Sequence, residues 1–166
     1  REFVRRGHEV TQFSRHYFNL PAEEVIDGVL HRRLSGYSTP RPLLLLKFYD
    51  FLYSIKIFRV LPSADILITN TFCLPFLVRS LKFGKLYVHV ARYPKGQLNL
   101  YRHAARLQTV SQPIAREMVK QVPRIKDKIK VIPYPTNLPS IADRDFRLSP
   151  SDPMTLLYVG RIHPEK

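Results

Sequence analysis

Side chains that can bind a polar ligand follow most of the predicted strands of this chain. They are Ser14-Arg15-His16, Asn70 with Thr71, His89 with Arg92, Tyr134-Pro135-Thr136-Asn137, and Gly160 with Arg161. In an open parallel sheet, ligands bind beyond the carboxyl ends of the strands, so these positions are the first to consider. Their hydroxyl, amide, imidazole and guanidinium groups can hydrogen-bond a polar or anionic ligand. The sequence therefore predicts a binding crevice at this edge of a sheet.

Several motifs of metal, nucleotide and acyl-transfer chemistry do not occur in the sequence. The histidines are scattered, and there is no CxxC or HExxH, so we expect neither a structural nor a catalytic metal. There is also no P-loop, GxGxxG or GxSxG, which leaves NTPase, dinucleotide-binding and hydrolase functions without support.

Hydrophobic periodicity predicts alternating strands and helices that would position these residues. In the first half we predict a helix end at Gly7, strands at 8–14 and 25–34, and a helix at 43–61; Asp27-Gly28 supplies a turn or a bulge. In the second half we predict strands at 64–71, 85–90, 108–110, 129–133 and 154–160, and helices at 72–83, 98–107 and 113–121. Ser111 is expected to cap the last of these helices. The fold class expected is α/β, a Rossmann-like parallel sheet with helices on both faces.

The two most apolar elements carry specific expectations. Strand 64–71 has the composition of a strand that is buried on both faces of a parallel sheet. Four charged residues interrupt helix 43–61, which argues against a membrane span. We expect this helix to be mostly buried, and a helix on a membrane surface is the alternative.

The chain is expected to contain one domain and the beginning of another. Residues 1–135 hold the predicted sheet, the proline-rich residues 136–153 form a linker, and residues 154–166 start a second domain. Residues 1–8 have no initiator Met and no signal-peptide apolar region, and they are typical of the last turns of a helix. We therefore expect the true N-terminus to lie upstream, and the second domain to continue beyond Lys166.

The composition is that of a folded, strongly basic protein. The formal net charge is +14, and residues 79–130 contain 13 basic residues against two acidic ones. Such a field attracts nucleic acid, anionic lipid headgroups or phosphorylated substrates, and a solvated basic surface is the alternative. A single cysteine, Cys73, excludes an intrachain disulfide and favours a reducing compartment. We expect a cytoplasmic location, with peripheral attachment at the inner face of the membrane as an option.

Several segments resemble, in order, those of family 4 (group 1) glycosyltransferases. Segment 156–166, LLYVGRIHPEK, resembles the opening of that family's donor domain, and segment 6–11, RGHEVT, resembles the stretch after its first helix. Four further segments resemble the family's Asp-containing strand, its histidine-bearing strand, its strand-to-serine helix cap and the last strand of its first domain; they are 64–68, 88–89, 109–111 and 130–133. The Asn-Gly-Val-Asp that usually follows is replaced by Tyr134-Pro135-Thr136-Asn137.

This resemblance implies a GT-B fold of two Rossmann-like domains and a retaining, metal-independent hexosyltransferase of polysaccharide biosynthesis. The donor would be a UDP-, GDP- or ADP-sugar, with no other cofactor, and the acceptor a saccharide or a lipid-linked saccharide. Gly160, Arg161 and Lys166 match the donor-binding positions, where the Arg/Lys pair stabilises the diphosphate leaving group.

The resemblance also gives roles to residues 1–135, which would form the acceptor-side domain. His89 matches the catalytic histidine, whose imidazole hydrogen-bonds the sugar or shapes the acceptor site. Asn70, Thr71 and Arg92 are the expected acceptor-binding residues. The family's paired glutamates belong to the rest of the donor domain, so the isolated chain is expected to be inactive.

Two other functions compete with glycosyl transfer. A sugar-nucleotide epimerase of the same fold would share most of these features, although the RGHEVT and GR…EK segments favour the transferase. A basic nucleic-acid-binding module would explain the charge, but no helix-turn-helix, zinc-finger or RNP-type signature occurs, so we expect no nucleic-acid partner. An anionic membrane surface remains compatible with the transferase.

Overall fold

The computed structural model describes residues 1–17, 19–37 and 42–135, and Arg1–Tyr134 form one compact unit. Its strands are β1 Val10–Arg15, β2 Glu23–Ile26, β3 Val29–Leu34, β4 Ile66–Thr69, β5 Lys85–Val90, β6 Arg106–Thr109 and β7 Ile129–Val131. Its α-helices are α1 Glu2–Arg5, α2 Leu43–Val60, α3 Leu74–Leu77 and α4 Gln112–Gln121. Three 3₁₀ helices are Leu81–Phe83, Gln97–Tyr101 and Pro123–Lys128. The predicted strand 154–160 and linker 136–153 lie outside the described residues.

The first sheet has three strands in the order β1-β3-β2, with β1 parallel and β2 antiparallel to β3. β2 and β3 replace the predicted single strand 25–34, because Asp27 and Gly28 form a tight turn between them. Both turn residues have positive φ angles, 52° and 79°, as a two-residue hairpin of the primed type requires. Of the two options that the sequence left open, the turn is therefore the correct one.

The second sheet has four parallel strands in the order β4-β5-β6-β7, and helices flank it. Residues of alternate positions in β5 and β6 point into an apolar core that α4 and two of the 3₁₀ helices cover. The best-buried members of this core are Leu98, Leu107, Met118 and Ile125. This arrangement is mixed α/β, as predicted. The core formed by these residues lies on one face of the four-stranded sheet.

A second apolar core lies between α2, α3 and the 3₁₀ helix Leu81–Phe83. Its buried members are Ile57, Leu61, Leu74, Val78 and Phe83. Phe13 of β1 and Leu34 of β3 pack against it, as does Leu67 of β4. Contacts with this core therefore connect the three-stranded sheet to the four-stranded one.

Two predictions about burial are wrong. β4 is not buried on both faces, since Ile66 and Ile68 are 54% and 59% exposed. β4 is an edge strand of its sheet, and only the side chains of Leu67 and Thr69 face the protein interior. α2 is not mostly buried either, because Leu44, Phe48 and Phe51 on its surface are exposed.

Two predicted helices are also wrong. The predicted helix 72–83 is divided into α3 and a 3₁₀ helix, because Val78 adopts an extended conformation with ψ at 90° and ends α3. The predicted helix 98–107 is a 3₁₀ helix followed by β6, because the N–H of Ala105 donates to the carbonyl of Leu86 and starts the β5–β6 ladder. In the last case pairing with β5 overrides helical periodicity.

Candidate functional site

The carboxyl ends of β4 and β5 bring several predicted site residues side by side. The register pairs Thr69 with Val88, so the residues directly after β4 lie beside the last residues of β5. Asn70 and Thr71 therefore neighbour the end of the strand that carries His89. Arg92 follows β5 by two residues and is exposed. Gly160, Arg161 and Lys166 lie outside the described residues, so this site consists of the predicted catalytic and acceptor-binding positions.

His89 lies on the partly exposed face of β5, opposite the apolar core. Alternation places Val88 and Val90 in the core and His89 on the other face. The Nε2 atom of His89 lies 3.3 Å from the hydroxyl oxygen of Tyr134, and the two ring centroids are 5.9 Å apart. Either group can donate in this contact, depending on the imidazole tautomer. The remaining ring nitrogen can then bind a ligand from a fixed ring orientation.

The sequence analysis included Tyr134 among the residues that follow strands but gave it no role, and it did not consider Gln108. Tyr134 comes shortly after β7 in the chain, and only the order of the strands brings it back to β5. Gln108 of β6 is paired directly with His89, so its amide lies on the same face of the sheet. The signal that identifies Gln108 is the strand register, which the sequence alone did not give. The two residues add a hydroxyl and an amide to the imidazole of His89.

Hydrogen bonds fix the loop that holds Asn70 and Thr71. The N–H of Cys73 donates to the Asp50 carboxylate over 2.8 Å, and the Tyr101 hydroxyl donates to the carbonyl of Phe72 over 2.8 Å. Within the loop, the N–H of Thr71 donates to the hydroxyl of Thr69 over 3.2 Å, and the two hydroxyl oxygens are 3.0 Å apart. The loop is thus bound from α2 and from the 3₁₀ helix Gln97–Tyr101. Its polar groups are positioned before any ligand arrives.

Cys73 and Tyr101 are buried groups that stay protonated at neutral pH. Burial, together with the nearby Asp50 carboxylate, raises the pKa of the Cys73 thiol to about 12. Burial also raises the pKa of Tyr101, and the neighbouring Cys73 and Asp50 act in the same direction. A nucleophilic cysteine requires the thiolate form. Cys73 is therefore a packing residue of the loop and not a nucleophile.

The raised pKa of Cys73 predicts that the protein loses stability in alkaline solution. The unfolded thiol has a pKa near 9.0, so above that pH the unfolded state ionises while the native state keeps its proton. The contribution of this thiol to stability is fully present below about pH 9. It falls as the pH rises towards the pKa of the thiol in the native state. We expect the free energy of unfolding, measured with urea, to fall between about pH 8 and about pH 10. The fall should be about 1.4 kcal/mol greater in the wild type than in Cys73→Ala. Equal losses of unfolding free energy in the two proteins would show that the thiol has the same pKa in the native state as in the unfolded state.

Ser111 occupies the predicted N-cap position of α4. Its backbone is extended, with φ −150° and ψ 154°, and its carbonyl accepts from the N–H of Ala115 over 3.1 Å. The Ser111 hydroxyl makes no hydrogen bond to the N–H groups of the helix. The position of the cap was predicted correctly, whereas the side-chain bond expected of a serine cap is missing from the described structure.

An open, basic groove lies beside α4 and β7, away from the predicted site residues. Its volume is about 540 Å³, and its cationic lining residues are Arg116, Lys126 and Lys130. These three belong to the basic part of the chain, residues 79–130. The groove is wide open, and none of the predicted site residues lines it. We therefore place the candidate site at the strand ends, where polar groups converge in fixed positions.

Two further observations bear on metals and membranes. The described ranges contain no group of three or more His, Cys, Asp or Glu side chains that could hold a metal ion. None of the helices in the described part of the chain combines the length and apolarity that a membrane crossing requires.

The chain matches no protein-family model, and it matches no curated protein at a significant level.

Proposed function

We propose that this chain belongs to a nucleotide-sugar-dependent glycosyltransferase with a GT-B fold. The enzyme transfers a hexose from a UDP-, GDP- or ADP-sugar to a saccharide or lipid-linked acceptor, with retention and without a metal. Residues 1–135 form its Rossmann-like acceptor-side domain, and residues 154–166 belong to its donor domain. The order of the six resembling segments along the chain supports this proposal.

The structural observation that supports it best is the set of polar groups at the ends of β4 and β5. His89, held against Tyr134, lies beside the loop of Asn70 and Thr71 at the carboxyl edge of a parallel sheet. Ligands of open α/β sheets bind at this edge. A sugar presents many hydroxyl groups, and each needs both donors and acceptors; imidazole, amide and hydroxyl side chains supply both.

Each site residue then has a distinct role in the proposal. His89 hydrogen-bonds the sugar or the acceptor hydroxyl, and Tyr134 holds its ring in place. Asn70, Thr71 and Arg92 bind the acceptor. Arg161 and Lys166 stabilise the negative charge that develops on the diphosphate leaving group, and Gly160 lets the backbone approach the phosphates.

A panel of nucleotide sugars tests the proposal on the enzyme that contains this chain. We expect one donor to release its nucleoside diphosphate in a reaction that depends on a saccharide or lipid-linked acceptor. No release with any donor would contradict the proposal. Conversion of a nucleotide sugar without an acceptor would point instead to an epimerase or a hydrolase.

Variants of His89 locate the chemistry within the same enzyme. We expect His89→Ala to lower kcat/KM by at least about tenfold, because a hydrogen bond to the reacting sugar is lost. The matched control is His8→Ala, which removes an exposed histidine outside the site. Equal activities of the two variants would remove His89 from the site.

The 166-residue chain itself should bind nucleotide sugars weakly, because its described residues supply acceptor-side groups. Titration calorimetry with the donor identified by the panel measures this directly. Tight binding by the chain would contradict the division of roles proposed for residues 1–135 and 154–166.

A further inference from the structure

The basic groove beside α4 lies between a helix and the edge of a sheet. One wall is the side of α4 that carries Ala115 and Val119, which are spaced i and i+4. The other wall is β7, whose Ile129 and Val131 also line the groove. β7 is the last strand in the order β4-β5-β6-β7, so one of its edges has no strand beside it in the described structure. The groove therefore runs along an open edge of the four-stranded sheet.

The backbone of β7 presents hydrogen-bonding groups to this groove. The N–H of Ile132 donates to the carbonyl of Thr109 in β6 over 2.8 Å. The backbone groups of successive residues in a strand point to opposite sides, so those of Ile129 and Val131 point away from β6. An edge of this kind pairs with an extended segment that lies alongside it. β7 is only three residues long, so side-chain contacts must add to the binding.

The cations of the groove are not used to hold the protein together. Arg116, Lys126 and Lys130 are exposed. Within the described ranges, ion pairs occur only among residues 1–33. Lys128, by contrast, donates to two backbone carbonyls and has a structural role. None of the described lining residues of the groove is acidic, so its three cations remain available to an anionic partner.

We propose that the basic groove binds an extended acidic segment of a partner protein. The segment lies beside β7, where its backbone pairs with the outward-pointing N–H and C=O groups. Its carboxylates contact Arg116, Lys126 and Lys130, and its apolar side chains lie against Ala115 and Val119. The binding does not depend on glycosyl transfer, so its test needs no nucleotide sugar.

Charge favours such a partner over a second copy of this chain. A second copy carries the same formal net charge of +14 and is repelled. Several of its acids are already bound within the protein: Glu2, Glu23, Glu24 and Asp27 pair with arginines. A lysine in an edge strand also discourages the pairing of two like edges, because the cations of both copies would meet. An acidic segment brings the opposite charge to the same edge.

The composition of the groove favours a polypeptide over a nucleic acid. Proteins that bind single strands stack the bases on aromatic side chains. The described lining residues include no aromatic side chain. The groove instead combines an open strand edge with aliphatic side chains, and both features suit an extended peptide.

Fluorescence anisotropy of a labelled peptide tests the proposal with the whole chain. The probe is a capped peptide of about six residues in which glutamate and valine alternate. The charge control has lysine in place of each glutamate. We expect the anisotropy to rise with the glutamate peptide and to stay unchanged with the lysine peptide. Equal responses to the two peptides, or no response to either, would overturn the proposal.

Backbone methylation of the glutamate peptide tests the pairing with β7. A peptide that is N-methylated at alternate residues keeps its charges and side chains but loses the N–H donors of one edge. We expect its affinity to be at least about tenfold lower. Equal affinities of the two peptides would mean that carboxylates bind the basic surface without adding a strand, which would overturn strand addition.

Two protein variants locate the binding. Arg116→Gln/Lys130→Gln should weaken binding of the glutamate peptide by at least about tenfold, because two charge-assisted contacts are lost. The matched control, Arg79→Gln/Lys85→Gln, changes the net charge equally at exposed positions outside the groove and should bind like the wild type. Equal loss in both variants, or no loss in either, would overturn the role of the groove. An oligodeoxythymidine that binds the wild type but not Arg116→Gln/Lys130→Gln, without binding of the peptide, would assign the groove to nucleic acid instead.

Discussion

Replacing Gly84 with alanine is expected to lower the free energy of unfolding by about 3 kcal/mol. Gly84 has a φ of 65° and lies between the 3₁₀ helix Leu81–Phe83 and β5. A Cβ atom there would overlap the backbone carbonyl groups of Ala64 and Asp65, which enter β4. The N–H of Lys85 donates to the carbonyl of Asp65 over 2.8 Å, so this contact also starts the β4–β5 ladder. Relief of the overlap would have to displace the amino end of β4, the strand that Asn70 and Thr71 follow.

Gly96→Ala is the matched control for this prediction. Gly96 also has a positive φ, 88°, but a Cβ atom there would meet nothing within 4 Å. Alanine at Gly96 should therefore cost only the left-handed backbone strain, about 1 kcal/mol. Urea unfolding of the wild type and the two variants measures the difference. If the two substitutions cost the same, the close approach of Ala64 and Asp65 to Gly84 is not a feature of the folded protein.

Local sequence signals predicted the elements whose structure depends on local chemistry. Lys85–Val90 forms the predicted strand with the predicted bounds, and α4 begins one residue before its predicted start. Gly7, with a φ of 84°, follows the predicted helix end, and the Asp27-Gly28 pair makes one of the two features expected of it. In each case a glycine, a cap position or an apolar alternation determines the backbone over a few residues.

Predictions from the sequence were wrong where contacts between residues far apart in the chain determine the structure. Residues 98–107 have helical spacing, yet β6 begins at Arg106 because β5 offers a ladder partner. Apolar residues occur all round α2, so the pattern could not show which side faces the protein. That choice follows from the bond between Asp50 and Cys73, which are 23 residues apart. No periodicity within α2 contains this information.

In the candidate site, too, local sequence predicted some features, and contacts between distant residues determine the others. The strand-end rule selected His89, Asn70 and Thr71 from the sequence, and the parallel pairing of β4 with β5 places them at one edge. Tyr134 is bonded to His89 across 45 residues, and Gln108 reaches it only through the β5–β6 register. Sequence reasoning therefore found the residues that follow strands, Tyr134 among them, and missed both the bond of Tyr134 to His89 and the position of Gln108.

Leu107→Ala is expected to lower the free energy of unfolding by about 2–5 kcal/mol, the range for removing a fully buried leucine side chain. Leu107 lies at the centre of β6, where its neighbours in register are Val88 of β5 and Ile129 of β7. Its side chain has no exposed surface and belongs to the same core as Leu98 and Met118. The substitution would leave a cavity beneath the central strands, and close packing of the helices above prevents full collapse into it.

Leu100→Ala is the matched control, since it removes the same atoms from a half-exposed leucine in the 3₁₀ helix Gln97–Tyr101. We expect it to cost less than about 1 kcal/mol, because little apolar surface leaves water there on folding. Urea unfolding of both variants tests whether one face of the four-stranded sheet carries most of the stability. Similar losses for Leu107→Ala and Leu100→Ala would mean that β6 is not the packed centre of this sheet, and His89 would then lack its rigid support.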